Sequence, residues 1–272
     1  MNDLFEPKII NLCVAQKDKG GLRNSPAITC PLVQTLAALI LIILNLNLIR
    51  PVLIRDSLVF YKTPSLHTRI IMTTENVQSI LQFWFGDSAS ARQCSNLKSS
   101  LWWSKDEDID RNITERFAAI TDELLQGKFS EWLDTPEGVL ASIICLDQFP
   151  RNMYRGNAKC YSYDPMALQH AKSLVTRDLD QELDPIQRVF AYLPFQHSEK
   201  LDNQETSLAL YSALVASVSA EDRDLFEGNY RSAVKHHEIV REYGRFPHRN
   251  SILGRQSTPR ELEFLEKPGS SF

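Results

Sequence analysis

A capping side chain followed directly by proline occurs four times after residue 130, each time before an apolar stretch with helical spacing. The four pairs are Thr135-Pro136, Asp164-Pro165, Asp184-Pro185 and Thr258-Pro259. At a helix start the side-chain oxygen accepts a free backbone N–H, and proline has no N–H that would be left unpaired. The recurrence predicts that this part of the chain is a succession of helices.

The apolar residues from position 74 onward keep the same helical period. One face of a long helix is marked by Ile109, Ile113, Phe117, Ile120 and Leu124, and we expect that helix to end at Gly127. Further helices are expected at 136–148, 165–176, 185–192, 199–217, 221–243 and 259–266. Trp102, Trp103 and Trp132 are interpreted as packing between helices. Since no alternating strand pattern and no clean 34-residue repeat occurs there, we predict an all-α fold of about eight helices in antiparallel pairs.

The first 71 residues differ in charge from the rest. They hold eight Lys and Arg and four Asp and Glu, a net charge of +4, whereas 72–272 hold 22 and 30, a net charge of −8. They also contain a weakly hydrophobic segment, 32–49, which is near the minimum length for a membrane span. Three interpretations stay open: a membrane anchor, an extension produced by a start codon placed too early, and a small folded subdomain. Because Met72 begins a stretch typical of a protein start, we divide the chain into 1–71 and 72–272.

The composition argues against several classes of function. The net charge is −4 and no basic stripe with interleaved aromatic residues occurs, so we expect no nucleic-acid partner. No GxGxxG or Walker-type loop is present, and we expect no cofactor. The five cysteines form no CxxC pair, which indicates reduced thiols and a cytoplasmic location for 72–272. A membrane location is expected only if 32–49 is a real anchor.

The first of three polar clusters is the stretch LDQFPRNMYRG at 146–156, which ends a predicted helix. Asp147 and Gln148 occupy the last turn, where a carboxylate faces the negative end of the helix dipole. Arg151 or Arg155 is close enough in sequence to offset that charge. A local salt bridge that closes the turn explains the cluster as well as a ligand site does.

The second cluster is LPFQHSEKLDNQ at 193–204. Pro194 is expected to end one helix and Ser198 to cap the next. His197 and Glu199 then lie beside a helix N-terminus, a position that attracts anions. A plain cap with Glu199 in the first turn explains the pattern equally well, and a His-x-Glu spacing alone is a weak metal or acid–base signal.

The third cluster is the richest and follows the predicted helix 221–243, which carries His236. Gly244 suits a left-handed helix end. The polar residues that come after it are Arg245, His248, Arg249, Asn250 and Arg255. Three arginines within eleven residues, stiffened by Pro247 and anchored by Phe246, favour bidentate clamping of an anion over a solvated loop.

The first and third clusters share a Phe-Pro pair followed by Arg-Asn at a helix end, at 149–152 and 246–250. We expect each phenylalanine to pin its turn in the core, while each Arg-Asn pair turns toward a shared space. The two helix ends are therefore predicted to line one polar pocket from opposite sides.

In combination these stretches resemble the bacterial family known as domain of unknown function 924. The resemblance rests on FWFG at 83–86, LDQFPRNMYRG at 146–156, LPFQHSE at 193–199 with Gln204, and His236 with YGRFPHRN and LGR up to 255, and it covers about 76–272. It implies an all-helical fold similar to tetratricopeptide repeats, a right-handed superhelix, and no established reaction. The functional positions that it implies are Asp147, Gln148, Arg151, Asn152, Arg155, His197, Ser198, Glu199, Gln204, His236, Arg245, His248, Arg249, Asn250 and Arg255. The sequence departs from the family pattern at Tyr243, where phenylalanine is usual, and 1–71 has no counterpart in it.

Our leading hypothesis is a helical binding domain whose polar pocket takes a small anionic ligand or an acidic peptide end. The groups assigned to it are the anion clamps Arg151, Arg249 and Arg255 and the orienting amides of Asn152, Asn250 and Gln204. This hypothesis requires all of these groups to lie in one cleft.

Two alternatives stay open. An enzyme, either a hydrolase or a lyase, could use His197, Glu199 and His236 as an acid–base set, which requires a carboxylate partner for a histidine and access to solvent. A protein-interaction module would use the motifs only to join helix ends. A metal site would need three of these side chains or Asp147 around one point, and the spacing does not favour it.

Overall fold

The computed structural model describes residues 49–54, 57–62 and 75–271. The chain divides into two units, Met1–Ile70 and Ile71–Phe272. In the described parts of the chain no helix combines the length and the apolar character that a membrane crossing requires. Apart from Ile49, the hydrophobic segment 32–49 lies outside the described residues, so its interpretation as an anchor stays a prediction.

The first unit contains a β-hairpin. Strand β1, Ile49–Ile54, pairs antiparallel with strand β2, Ser57–Lys62, in a register that places Ile49 opposite Lys62. This hairpin was not expected from the sequence. Both strands are nevertheless rich in β-branched and aromatic residues, the composition that strands favour.

Residues 75–271 of the second unit form ten α-helices, so the all-α prediction is confirmed for this part of the chain. The helices are α1 Val77–Phe85, α2 Ala91–Trp103, α3 Glu107–Leu125, α4 Pro136–Ile143, α5 Phe149–Met153, α6 Asp164–Thr176, α7 Pro185–Gln196, α8 Leu201–Ser217, α9 Arg223–Tyr243 and α10 Pro259–Leu265. Short 3-10 helices occur at Ser130–Asp134, Ala158–Tyr161, Leu179–Glu182 and Pro247–Arg249.

Several predicted helix ends are confirmed. The hydroxyl of Thr135 accepts from the N–H of Gly138 at 3.2 Å, and that of Thr258 accepts from the N–H of Glu261 at 3.2 Å. Gly244 ends α9 in the left-handed conformation, with φ of 69°. These local contacts satisfy backbone groups that a helix end leaves unpaired.

Two predicted caps are wrong. Asp164 is the first residue of α6 rather than its cap, which is Tyr163, and its carboxylate pairs with arginines instead. Lys200 is the residue that precedes α8, and Ser198 instead accepts from the backbone N–H of Lys200 and the side chain of Asn203. Asp164 is therefore placed by tertiary partners, whereas Ser198 is held by residues two and five positions later in the chain.

The predicted helix 136–148 is interrupted near its end. Helix α4 stops at Ile143, and Ile144–Gln148 forms a π-helical turn in which the N–H of Phe149 donates to the carbonyl of Ile144. The following residue, Pro150, has no N–H, so the α-helical hydrogen-bond ladder cannot continue through it. The π turn accommodates this break with one extra residue.

Helix α7 continues beyond its predicted end at 192. It runs through Pro194 to Gln196. Proline lacks a donor and normally disrupts a helix interior. Here Leu193, Pro194 and Phe195 are all buried, so side-chain packing holds the last turn in helical form.

An aromatic cluster forms the centre of the core beneath α5 and α7. Phe149 stacks on Phe117 with ring centres 4.5 Å apart, and Trp84 meets the edges of Phe149 and Phe190 at 5.6 Å each. Phe149 and Phe246, the two phenylalanines of the Phe-Pro pairs, are fully buried. The expectation that they pin their helix ends in the core is confirmed.

Candidate functional site

A cavity of about 350 Å³ opens where the ends of α2, α5 and α7 meet α9. Its wall also includes parts of the 3-10 helices Ala158–Tyr161 and Pro247–Arg249 and of α8. The lining residues are Trp102, Trp103, Ser104, Lys105, Gln148, Arg151, Asn152, Arg155, Tyr161, Leu193, Gln196, His197, Tyr211, Asn229, Ser232, His236, His248 and Arg249. The two Phe-Pro helix ends therefore both contribute to one cavity, as their repetition predicted.

The charges of this wall have one sign. Its ionic side chains are Lys105, Arg151, Arg155 and Arg249, and the described residues place no carboxylate in it. The carboxylates of Asp147, Asp164 and Asp110 are not among the lining residues, and each pairs with one of the arginines. The ionic side chains that line the cavity are therefore all cations.

Arg249 has the least satisfied charge in the wall. Its side chain is only 8% exposed, and its guanidinium carbon lies 4.6 Å from the ring centre of Tyr161 and 4.5 Å from that of Phe246. The guanidinium NH1 is 3.7 Å from Asp164 Oδ2, which is beyond hydrogen-bond length. Its Nε is buried without a partner, and the guanidinium donates no hydrogen bond to any residue in 75–271. Burial, together with the nearby Arg151, lowers the pKa of Arg249.

Arg151 connects the wall to two acids behind it. Its NH2 lies 3.0 Å from Asp164 Oδ1 and 3.3 Å from Asp147 Oδ1. Burial alone would raise the pKa of Asp147, but His197 and Arg151 hold it below its ordinary value. Burial does raise the pKa of Asp164, against the effect of Arg151. The arginine is thus held in place by two carboxylates that are not among the lining residues.

Arg155 and Asn152 share a single acid. The guanidinium of Arg155 donates to both oxygens of Asp110 at 2.7 and 2.8 Å, and the amide of Asn152 donates to Asp110 Oδ1 at 2.8 Å. This bidentate geometry fixes the guanidinium plane at the rim of the cavity.

His197 has the carboxylate partner that an acid–base role requires. Its Nδ1 lies 2.8 Å from Asp147 Oδ1, so Nδ1 carries the proton and Nε2 is the basic nitrogen. No residue in 75–271 bonds Nε2, and the ring lines the cavity. Burial and then Arg151 lower the pKa of His197, while Asp147 opposes them. The imidazole is therefore neutral at pH 7 and able to accept a proton.

Two further histidines lie in the wall. The ring of His236 is 6.2 Å from that of His197, and its Nδ1 donates to the carbonyl of Ser232 at 2.8 Å. Burial, and then His197, lowers the pKa of His236 to about 3. Burial, and then Arg249, lowers the pKa of His248 to about 4. All three histidines are uncharged at neutral pH, so the arginines and the lysine supply the positive charge of the wall.

Glu199, Asn250 and Arg255 were expected in the site, yet they are not among the lining residues. Arg255 donates to both oxygens of Glu199 at 2.7 and 2.9 Å, and Glu199 also accepts from the N–H of Phe246 at 2.8 Å. Asn250 accepts from Arg255 Nε at 3.0 Å. These bonds close the loop after Gly244, so Arg255 does not join Arg151 and Arg249 in one cleft, and Glu199 is not the partner of a histidine.

Three other expected residues also bond to the protein outside the cavity wall. Arg245 holds Glu261 with hydrogen bonds of 2.6 and 2.8 Å. The amide of Gln204 donates to the carbonyls of Gln196 and Ser198, both at 2.6 Å. Ser198, Gln204 and Arg245 therefore tie helix ends together.

The structure also adds residues that were not assigned to the site. Tyr161 and Asp164 surround Arg249, and Lys105 adds a fourth cation. Trp102 packs between helices as expected, whereas Trp103 is 57% exposed, and both form part of the wall. The Asp164-Pro165 pair was interpreted as a helix cap, so Asp164 was not assigned to the site. No local pattern distinguished Lys105 from a surface lysine.

Metal binding was weighed for this site on the basis of His197, Glu199, His236 and Asp147. Across the described ranges, no three His, Cys, Asp or Glu side chains are grouped so that they could hold a metal ion.

Comparisons with known proteins agree with the resemblance. A family model described as "Bacterial protein of unknown function (DUF924)" matches residues 80–269. A solved structure of a protein of unknown function from Agrobacterium tumefaciens is 33% identical, with a TM-score of 0.59, over 70% of this chain and 96% of that one. A search of curated proteins gives no match.

Proposed function

The chain belongs to the DUF924 family of bacterial proteins of unknown function, and we propose that its cavity binds a small organic anion. The observation that carries this proposal is Arg249, a buried cation in the cavity wall whose guanidinium makes no hydrogen bond to the described protein. A buried charge without hydrogen-bond partners is costly. A carboxylate or phosphate placed against Arg249 supplies those partners.

The arrangement around Arg249 supports the same ligand class. The adjacent Arg151 has a buried Nε without a partner, although two carboxylates occupy its NH2. Gln148 and Gln196 stand in the same wall, where their side-chain amides already donate to Asp147 at 2.5 Å and to Ser232 at 3.3 Å. Each NH2 group has a second N–H that can donate to an oxyanion. No carboxylate lines the cavity in the described part of the chain, although Asp164 Oδ2 lies 3.7 Å from Arg249 NH1.

The rest of the wall indicates an organic ligand with an apolar part. Trp102, Trp103 and Leu193 are apolar residues of the cavity lining. A volume of about 350 Å³ is at the lower end of the range for small-molecule sites. The size favours a metabolite over a folded partner, and an acidic peptide end would have to enter by its last residue.

We test this proposal by thermal unfolding of the full chain in the presence of phosphate, adipate, benzoate and phenyl phosphate. A ligand that binds only the folded state raises the melting temperature. At one hundred times its Kd it increases the free energy of unfolding by about 2.7 kcal/mol. We expect at least one anion to do so. In Arg249→Met that affinity should fall about 10- to 100-fold, since a charge-assisted hydrogen bond contributes about 1.5–3 kcal/mol.

A matched control separates the site from general charge. Arg241 is exposed on α9 and outside the cavity, so Arg241→Met removes the same charge without touching the wall. It should bind each anion as the parent does. If no anion stabilises the parent, or if both variants lose affinity equally, the cavity is not an anion site.

The finer description of the fold remains part of this proposal. A tetratricopeptide-like right-handed superhelix of antiparallel helix pairs would give the chain a protein-binding surface, and the close packing of α8 against α9 supports such pairing. That alternative, an interaction module, is favoured if the anion screen fails.

We also propose a reducing, cytoplasmic setting for the helical part. The support is that Cys94, Cys145 and Cys160 are buried free thiols.

A further inference from the structure

His197 and Asp147 form a pair that anion binding alone does not require. Asp147 is fully buried, and it is placed by the π turn Ile144–Gln148. Such turns occur frequently at functional sites. Burying a carboxylate is costly, and this one is bonded to Nδ1 of His197, a residue of the cavity wall. The pair leaves the other ring nitrogen of His197, Nε2, as a base at the cavity wall.

The charges around His197 come from three directions. Asp147 lies on the π turn, Arg151 on α5 and Asp164 on α6, while the ring of His236 on α9 lies 6.2 Å away. The two acids and the arginine are bonded to one another. The imidazole is therefore oriented by an ion-pair network of two acids and one arginine.

No protein nucleophile accompanies this base. Within 75–271, no hydroxyl or thiol hydrogen-bonds to His197. The hydroxyl of Ser232 in the same wall accepts from the amide of Gln196 at 3.3 Å. Burial raises the pKa of Cys145, which is fully buried. The proton that His197 can take must therefore come from a ligand or from water.

We propose that the cavity is catalytic, with His197 as the general base that activates water to hydrolyse a carboxylic ester whose acyl part carries a second, anionic group. This inference rests on the anion site proposed above, which would hold that group at Arg249. Asp147 is the positioning residue, because it acts on the substrate only through His197.

The reaction balances with water as the only co-reactant. Nε2 of His197 takes one proton from water while the water oxygen bonds to the acyl carbon, and the carbonyl electron pair moves onto its oxygen. When that pair returns, the bond from the acyl carbon to the alcohol oxygen breaks. The imidazolium gives its proton to the leaving oxygen. One ester and one water become one carboxylic acid and one alcohol, without oxidation or reduction.

The cavity wall suits the charge that develops in this reaction. The carbonyl oxygen becomes negative in a space whose ionic lining residues are all cations. Donors fixed in advance where negative charge forms lower the barrier without reorganising at the moment of reaction. Arg151, held from behind by Asp147 and Asp164, meets that description.

The test uses two activated esters of matched length with the full chain. The mono-4-nitrophenyl ester of adipic acid carries a carboxylate at the far end, and 4-nitrophenyl hexanoate does not. Release of 4-nitrophenolate is followed by absorbance. We expect the parent to hydrolyse the adipate ester faster than the hexanoate ester, and Arg249→Met to lose that preference through a higher KM.

A variant of His197 distinguishes a catalytic role of this residue from a role in binding the ligand. His197→Gln should lower kcat for the adipate ester by about 100-fold or more, the size of effect that general-base catalysis supplies. It should still bind adipate, since Arg249 is intact. His237→Gln, a histidine on α9 outside the wall, should change nothing. A rate in His197→Gln equal to that of the parent overturns the proposal.

The pH profile distinguishes positioning from simple structural support. Because Asp147 opposes the lowering of the His197 pKa, Asp147→Asn should move the acidic limb of kcat to lower pH while kcat on the plateau falls. A loss of activity with an unmoved profile contradicts the positioning role. Acylation of the unaltered protein by diethyl pyrocarbonate, mapped by mass spectrometry, checks His197 without any variant. Adipate should protect it, and an unreactive His197 counts against the proposal.

The outcomes of anion binding and hydrolysis are separable. Adipate binding that depends on Arg249, with no hydrolysis above that of His197→Gln, retains the anion site and rejects catalysis. Absence of both rejects both. Hydrolysis that depends on His197 but shows no preference for the anionic ester rejects the substrate class proposed here.

Discussion

At the scale of single residues, the main distinction is between arginines that face the cavity and arginines that hold the fold. Arg249 has a weak contact with one acid and no hydrogen bond to the described protein, whereas Arg255 makes a bidentate pair with Glu199. Both stand in the same short stretch after α9. Substitution of Arg255 should therefore lower stability, whereas substitution of Arg249 should mainly affect the cavity.

We expect Arg255→Met to lower the free energy of unfolding by about 2 kcal/mol, because it leaves Glu199 partly buried without its charged partner. Urea denaturation of the variant measures this change. The comparison is Arg260→Met, which breaks an exposed pair with Glu242 and should cost less than about 0.5 kcal/mol. Equal losses in the two variants would show that the Arg255 pair is only a surface contact.

The sequence indicated the residues of the wall better than it indicated their partners. Gln148, Arg151 and Arg249 lie at repeated helix ends, and that repetition was enough to predict a shared space. The choice of Asp147 rather than Glu199 as the partner of His197 depends on residues 50 apart meeting in space. Glu199 stands two residues from the histidine in sequence, but its carboxylate is bonded to Arg255 and to the N–H of Phe246.

At the scale of elements, the fold depends on the close contact between the 3-10 helix Ser130–Asp134 and the start of α4. Gly138 lies in the first turn of α4, and a Cβ there would be 2.1 Å from the carbonyl oxygen of Trp132. The 3-10 helix Ser130–Asp134 therefore fits against α4 only because this position has no side chain. Helix α4 leads directly into the π turn that carries Asp147.

Gly138→Ala should reduce the free energy of unfolding by about 3 kcal/mol, since backbone rather than a flexible side chain must move to relieve the overlap. Thermal and urea unfolding report the loss. Gly228→Ala provides the opposite case: on α9 the nearest atom to the added Cβ is 3.8 Å away, and alanine favours helix by about 0.5–1 kcal/mol. A stable Gly138→Ala variant would mean that the 3-10 helix can shift freely.

The presence of the helices could be predicted from the period of the apolar residues and from the capping pairs. Several helix boundaries could not be predicted in this way. The signals at Thr135 and Thr258 act within four residues, so the sequence contains them in full. The extension of α7 through Pro194 depends on burial by distant elements, and the π turn depends on where Pro150 falls. Burial by distant elements is not visible in a local window, whereas Pro150 is, and its effect on the preceding turn was not anticipated.

At the scale of the whole molecule, four histidines are held neutral by burial. The pKa values of His170, His197, His236 and His248 are all below their ordinary value, with burial as the largest cause in each. An unfolded histidine titrates near 6.5, so below that pH the unfolded chain binds more protons than the folded one. Stability must therefore fall as the pH is lowered.

We expect the free energy of unfolding to decrease between pH 6.5 and 5, with a limiting slope of about 1.4 kcal/mol per pH unit for each such histidine. The decline should continue toward the pKa values of about 3 for His236 and about 4 for His248. Urea denaturation at several pH values gives the slope, and His248→Gln should reduce it. A flat profile over this interval would show that these rings protonate in the folded state.

Because of the π turn, the position of Asp147 depends on the number of residues between α4 and Phe149. It spaces α4 from the Phe149-Pro150 pair by one residue more than an α-helical turn would. Deleting Ile144 would leave all the lining side chains in the sequence and remove that spacing. Each residue of an α-helix rotates the chain by about 100°, so Asp147 would turn away from His197. Two chains can thus have identical residues at every lining position and still differ in the Asp147–His197 bond. A single gap in their sequence alignment would be enough.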